Sequence, residues 1–395
     1  MNFNNILTEV DWSFSNFSNS GLHSIHWYPA TYISAIPGTL IPTLCQEGAT
    51  ILDPFSGSGT TGLESLRLGN NFIGFDTNPI AILIAESKLF HPEPKRFLDL
   101  VRAATSEAQF KYNNNEVATH PQEAELKSWY HANTMAELNA ILQELCLIEN
   151  PNYKKCALAI FSSILKSTCS QGKHWGWVCD NVKPKLSEII YRNAFTSFLS
   201  ACEEFAKATH DSFRTIQYWN NSLTRSTLRK RANFRVGDCV ANMKNLPDES
   251  VDLIMTSPPY YGVADYVKSQ RLSFLWFDIV DLNHTLLGFE NFSELRSQEK
   301  GSRSHRHRKN SWQQYIEFIH HVFLEAHRIL KVNAHMALIV GESSSRAGTT
   351  DNIIDIAEDV GFSLELRKQR GIRSTRRRLM AKVKGEDVLI FSKKT

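Results

Sequence analysis

The chain has 395 residues, 42% of them hydrophobic and 22% charged, with a formal net charge of +3. That length buries a large core in one to three domains, while the longest apolar stretch, around Cys156–Leu165, is too short to span a bilayer. Met1–Trp12 lacks the basic and apolar regions of a signal peptide, and the seven cysteines form no CxxC pair, so a cytoplasmic protein with reduced thiols, no metal and no membrane contact is expected.

Thr50–Ala81 reads TILDPFSGSGTTGLESLRLGNNFIGFDTNPIA, in the order strand, glycine turn, helix, turn, strand. Ile51 and Leu52 end a short strand, Ser56–Gly59 turns, Thr60–Leu68 is helical up to Gly69, and Asn71–Phe75 is a strand ending at Asp76. Gly57 and Gly59 allow positive φ and close approach of a ligand to the backbone at a helix N-terminus. Asp76 stands at the end of the second strand, where a carboxylate commonly grips a ribose diol. Gly57-x-Gly59-x-x-Gly62 with an acid about 20 residues on also fits a dinucleotide fingerprint, so a dehydrogenase competes at this point.

About 150 residues follow before the next strand, too many for a loop. Glu123–Leu147, Tyr153–Lys166 and Leu186–His210 carry helical periodicity and predict an inserted helical subdomain. Trp175–Lys185 connects its helices, with Trp175 and Trp177 read either as core or as lining of a cleft. Phe234–Cys239 predicts a third strand, ending at Asp238.

Val251–Gly262, VDLIMTSPPYYG, is a buried strand that runs into Ser257, Pro258, Pro259 and Tyr260. Two consecutive prolines fix φ and cannot donate, so the corner is stiff and its carbonyls are free to accept. Further on, Trp312–Leu330 predicts a long helix, His335–Gly341 a fifth strand, Ile353–Val360 a helix closed by Gly361, and Leu364–Arg370 with Asp387–Ser392 a last hairpin. Basic residues crowd into Arg225–Arg235, Gly301–Lys309 and Arg367–Lys384, a local concentration that points to a polyanionic partner despite the small net charge.

DPFSGSGTT, GFDTNPIA and TSPPYYG together resemble the S-adenosylmethionine-dependent DNA amino-methyltransferases, in the circular order that places the cofactor half first. HWYPATYISAIPGTLI, His26–Ile41, is similar to the N-terminal cofactor motif of that family. The resemblance covers residues 22–90 and 234–395. Asp53-Pro54-Phe55 and the Ser-Pro-Pro-Tyr corner have no use in hydride transfer, which tells against the dehydrogenase.

The resemblance implies an α/β fold, a doubly wound seven-stranded methyltransferase sheet with the helical subdomain inserted. It divides the chain into a cofactor half (1–90), the insertion (91–233), a candidate target-recognition region, and a catalytic half (234–395). S-adenosylmethionine is the implied cofactor, held by Tyr28, Pro29, Asp53, Phe55, Gly57, Gly59, Thr60, Asp76 and Asp238. Ser257 Oγ and the Pro258 carbonyl would accept the two N–H groups of an exocyclic amine, Pro259 would stiffen the corner, and Tyr260 would stack on a flipped base. Serine in the first position of that motif favours N4 of cytosine on resemblance, with N6 of adenine and an RNA or tRNA amine as alternatives. Double-stranded DNA is the implied partner, gripped by Arg303, Arg306 and Arg308 and by Arg373, Arg376, Arg377 and Arg378. The resemblance leaves a cognate restriction endonuclease open as a second partner.

Overall fold

The glycine turn and the proline corner are brought side by side by one sheet. In this computed structural model, residues 3–170, 183–219, 221–278, 292–343, 346–371 and 383–394 are described. The strands are β1 (Thr50–Asp53), β2 (Asn71–Asp76), β3 (Ala232–Val236), β4 (Val251–Thr256), β5 (Leu330–Ser343), β6 (Phe362–Arg370) and β7 (Val383–Lys393). They form one seven-stranded sheet in the order β3-β2-β1-β4-β5-β7-β6. Every pairing from β3 to β5 is parallel, and β7 lies antiparallel to both β5 and β6. The chain winds outward from β1 in one direction and from β4 in the other. Between their carboxyl ends lies the crevice where doubly wound sheets take ligands.

The apolar run of β4 is continuous because both sheet faces are covered. Leu253 and Met255 join a core with α1 (Ala35–Leu44), α2 (Thr60–Arg67) and α3 (Pro79–Phe90), while Val251 and Ile254 face α8 (Ser311–Ile329) and α9 (Thr349–Val360). The α3 helix starts where the sequence places a capping asparagine before proline: Asn78 accepts the Ile80 N–H at 3.0 Å, and Pro79 fills the first turn. Gly361, at φ 109°, closes α9.

Between β2 and β3 the chain forms α4 (Pro94–Asn113), α5 (Ala132–Cys146), α6 (Pro151–Thr168) and α7 (Ala194–Trp219). The expected helix Glu123–Leu147 is broken: Glu123–Leu126 makes a short turn, and α5 starts afresh where His131 accepts the Asn133 N–H at 3.2 Å. Of Leu186–His210, only Leu186–Glu188 forms a single 3-10 turn before α7 begins at Ala194. These helices share the core of the cofactor half. His26 Nε2 meets Ser162 Oγ at 2.9 Å, and Ser87 Oγ donates to the Lys155 carbonyl at 3.1 Å. Trp175 and Trp177 lie outside the described residues.

Two expectations are corrected here. The third strand runs Ala232–Val236 and stops before Gly237, so Asp238 is not a strand residue; it caps the helix Cys239–Lys244 by accepting the Ala241 N–H at 2.9 Å. The basic stretch Arg225–Arg235 is largely used internally. Arg225 and Arg229 donate to the His91 and Phe90 carbonyls and lie over the rings of Phe213 and Phe90, and Arg231 donates to the Gly69 carbonyl. These guanidiniums satisfy carbonyls at the C-terminus of α3 and beside β2, which is why so many fall in one short stretch.

Candidate active site

A cleft of about 960 Å³, partly open to solvent, sits over the carboxyl ends of β1, β2 and β4. Its walls include Tyr28, Pro29, Phe55, Gly57, Thr60, Asp76, Asp238, Ser257 and Pro259, so residues separated by more than 200 positions in the chain share one wall-to-wall space. Gly59, Asp53, Pro258 and Tyr260 are not among its lining residues.

The glycine turn is fixed from three sides. Asp76, at the end of β2, accepts the Gly57 N–H at 2.9 Å and the Asn78 N–H at 2.8 Å. The Tyr28 ring packs against Gly57, and its hydroxyl accepts from Asn78 Nδ2 at 3.3 Å. From beneath, buried Lys88 donates to the Ser58 carbonyl at 3.0 Å; burial, with no anionic partner among the described residues, drops its ammonium to about 7. Gly59, at φ 80°, turns the chain into α2 with no room for a side chain, since a Cβ there would lie 2.8 Å from Ala85 Cβ.

Asp53 is buried beneath the cleft instead of facing into it. Its two oxygens accept from Thr61 Oγ1 and Thr256 Oγ1, each at 2.5 Å, and from the Phe55 N–H at 3.1 Å. Thr61 is bonded in turn to the Tyr32 hydroxyl. This carboxyl therefore ties the first turn of α2 to the last residue of β4 and sets the glycine turn against Ser257. Burial raises it to about 6, against the pull of the two threonine hydroxyls. Asp76 is raised to about 6 by the same cause, held down by its two amide donors.

At the other wall, the corner after β4 is braced from α8: the Tyr315 hydroxyl donates to the Pro259 carbonyl at 3.0 Å. Among the described residues no hydrogen bond engages the Pro258 carbonyl. Tyr260, 6% exposed, is not a lining residue of the cleft and packs over Gly341, where a Cβ would collide with its ring. Its hydroxyl lies 3.3 Å from Ser257 Oγ and donates to Glu386 Oε1 at 3.0 Å. A stacking role for Tyr260 therefore has no support in this geometry.

Sequence reasoning missed Glu299, Tyr266 and Lys300, which also line the cleft. Glu299 is 9% exposed; one oxygen accepts the Val267 N–H at 2.9 Å, and Oε2 has no partner among the described residues. Burial lifts this carboxyl to about 7. Ser56 also lines the cleft, and its Oγ is buried with no partner among the described residues. Glu299 follows the short polar helix Phe292–Gln298 with no sequence motif, and only the bond it accepts from the Val267 N–H marks it.

The basic loop Gly301–Lys309 is anchored beside this wall. The Gly262 N–H donates to the Gly301 carbonyl at 2.7 Å, the Arg303 N–H to the Ala264 carbonyl at 3.0 Å, and the Ser304 N–H to Asp265 at 2.8 Å. Arg308 is exposed, while Arg303 and Arg306 are half-buried; Arg306 Nε donates to His307 Nε2 at 2.9 Å, and its Nη1 is buried with no partner among the described residues. Arg373, Arg376, Arg377 and Arg378 lie outside the described residues.

A family model described as DNA methylase matches residues 2–87. Over 268 residues the chain is 24% identical to the type II methyltransferase M.MvaI of Kocuria varians, a match taking in 65% of this chain and 58% of that relative. It is 23% identical over 405 residues to the type II methyltransferase M.MjaII of Methanocaldococcus jannaschii, covering 82% of this chain and 72% of that one. A short match of 44 residues, 52% identical, joins it to the type II methyltransferase M2.DpnII of Streptococcus pneumoniae, over 11% of this chain and 16% of the relative. The chain thus spans less than two thirds of the length of the first of these relatives.

Proposed function

We propose that this chain, a member of the N6/N4 DNA methylase family, transfers a methyl group from S-adenosylmethionine to the exocyclic amine of a base in double-stranded DNA. The observation that carries this reading is the single cleft lined by both the Gly57–Asp76 wall and Ser257. One wall suits a nucleoside with a charged tail, and the other offers acceptors to an amine.

The residues present fit such a cofactor. Asp76 has acceptor capacity beyond its two amide donors for a ribose diol, and the Ser56 hydroxyl, without a partner among the described residues, stands in the glycine turn for a polar tail group. Tyr28, Phe55 and Phe318 supply apolar walls. When bound, the cofactor supplies an electrophilic methyl group on a sulfonium, so the protein's part is to align and activate the amine.

A base amine is a poor nucleophile because its lone pair is delocalised into the ring. Ser257 Oγ at the cleft wall would accept one N–H, and the adjoining Pro258 carbonyl, behind the lining and engaged by no hydrogen bond among the described residues, would accept the other once the base is seated, favouring the tetrahedral nitrogen that attacks. The corner is prepaid in stiffness by Pro258, Pro259 and the Tyr315 brace. A base stacked in the duplex cannot bring its amine to Ser257 inside a cleft, so the target would be flipped out of the duplex. Serine at the head of the corner favours cytosine N4 over adenine N6, on the family pattern. The arginines of the anchored loop, Arg303 and Arg308 foremost, would hold the phosphates beside it.

Incubation with methyl-labelled cofactor and unmethylated genomic DNA, followed by digestion and mass spectrometry of the nucleosides, tests the reading. N4-methylcytosine is expected. N6-methyladenine would correct the choice of base, and label confined to RNA would overturn the assignment to DNA.

A further inference from the structure

We propose that Ser257, Tyr260, Glu386 and Arg370 form a buried relay that draws the surplus proton away from the newly methylated amine. The inference rests on the proposed amine methylation and adds the route by which that reaction ends. Ser257 Oγ donates toward the Tyr260 hydroxyl at 3.3 Å, Tyr260 donates to Glu386 Oε1 at 3.0 Å, and Arg370 donates to Glu386 Oε2 at 2.9 Å. Tyr260, Glu386 and Arg370 are all more than nine-tenths buried, and the chain of contacts runs from the cleft wall to the β6–β7 hairpin.

The direction of the donors matters. Because the Ser257 proton is committed to Tyr260, the lone pairs of Ser257 Oγ are left to face the cleft. A hydroxyl, ordinarily both donor and acceptor, is thereby made an acceptor for an amine N–H. The carboxylate at the far end polarises both hydroxyls in the same sense, and low local dielectric strengthens the chain.

The amine's lone pair forms the N–C bond as the C–S bond breaks, with its electron pair staying on sulfur. The nitrogen then carries a positive charge and one proton too many. That proton passes to Ser257 Oγ as the serine's own proton passes to the Tyr260 oxygen and the tyrosine's to Glu386 Oε1. Glu386 ends as a neutral carboxylic acid beside Arg370, and reionises by losing the proton to solvent between turnovers.

Burial raises the Glu386 carboxyl above the ordinary glutamate range, with Arg370 and Tyr260 opposing it, which suits a group that must take up a proton and release it. The described titratable groups facing Glu386 are Arg370 on β6 and Tyr260 beyond β4; Tyr266 faces Tyr260 in turn. Gly341 on β5, paired with Glu386 across the sheet, leaves the space that the Tyr260 ring fills.

Tyr260→Phe keeps the ring and removes the link. It should lower kcat on the order of a hundredfold while leaving cofactor affinity within about twofold. In the wild type, kcat should fall as pH drops through the raised Glu386 value, because a protonated carboxyl cannot accept. Glu386→Gln should lose that acid limb and a similar part of kcat, and the double variant should be no worse than either single one. Glu386→Asp should recover part of the rate. An independent readout is the carboxyl infrared band of Glu386, taken as the difference between wild type and Glu386→Gln; Tyr260→Phe should shift its titration. Wild-type rate and acid limb in Tyr260→Phe, or a band unmoved by that substitution, would overturn the relay. Wild-type protein that binds cofactor but labels no DNA would instead overturn the functional reading, with the infrared result still deciding the relay.

Discussion

Asp76 and Asp53 show how one residue type at equivalent strand ends divides into two jobs. Both are aspartates closing a strand, and both are raised to about 6 by burial. Asp76 lines the cleft, whereas Asp53 spends its oxygens on Thr61, Thr256 and the Phe55 amide. Only an ionised Asp76 can accept two ribose hydroxyls. Cofactor affinity should therefore be full above about pH 6 and decline as pH falls through that value. Calorimetry between pH 5 and 8 checks this, and because Asp53 titrates in the same window, a flat, weakened profile in Asp76→Asn assigns the effect. Glu299 gives a stability test with a definite sign. Its folded value of about 7 lies above the ordinary 4.5, so the folded state holds a proton that the unfolded chain releases. That contribution is present below about pH 4.5 and lost as pH rises through about 7. Glu299→Gln should match wild type near pH 5 and exceed it at pH 8 by on the order of 3 kcal/mol in urea unfolding. Equal stability at both values would mean that water reaches the carboxyl.

At the scale of elements, two glycines decide whether the walls of the cleft meet correctly. Gly59 carries the turn into α2 at φ 80° and against Ala85 of α3. Gly59→Ala should cost about 2–4 kcal/mol of stability and weaken cofactor binding, because both the backbone conformation and the packing resist a Cβ. Gly341 acts on the other wall. An alanine there would displace the Tyr260 ring, and should lower kcat far more than cofactor affinity; equal losses in both would mean that the whole cleft had shifted. The glycine turn, both flanking strands and the SPPY corner were legible because each carries local chemistry: positive φ, a fixed proline φ, or a continuous apolar run. The end of β3 was not, because Gly237 and Asp238 prolong an extended-looking sequence that the chain uses to cap the next helix.

Across the whole molecule, the helical insertion and the basic loop pose separate questions. Since α4–α7 share one core with the cofactor half, urea unfolding should show one transition for both, and excising residues 94–219 should leave no folded remainder. A soluble, cofactor-binding remainder would show the insertion to be an independent unit. For the DNA surface, replacing Arg303 and Arg308 with alanine should weaken binding to all sequences alike and reduce the salt slope by about two, with cofactor affinity unchanged. An unaltered slope would shift the grip to other basic residues.

By itself the sequence determined the seven strands in chain order, the glycine turn, the stiff corner and the family these resemble, because turn geometry and apolar periodicity act over a few residues. Only the tertiary structure decided which polar groups face the cleft. It turned Asp53 and Tyr260 inward to partners 203 and 126 positions away, used Arg225 and Arg229 as carbonyl donors, and brought Glu299 to the cleft wall. Burial and long-range hydrogen bonds set those roles, and neither is written in the residues adjacent along the chain.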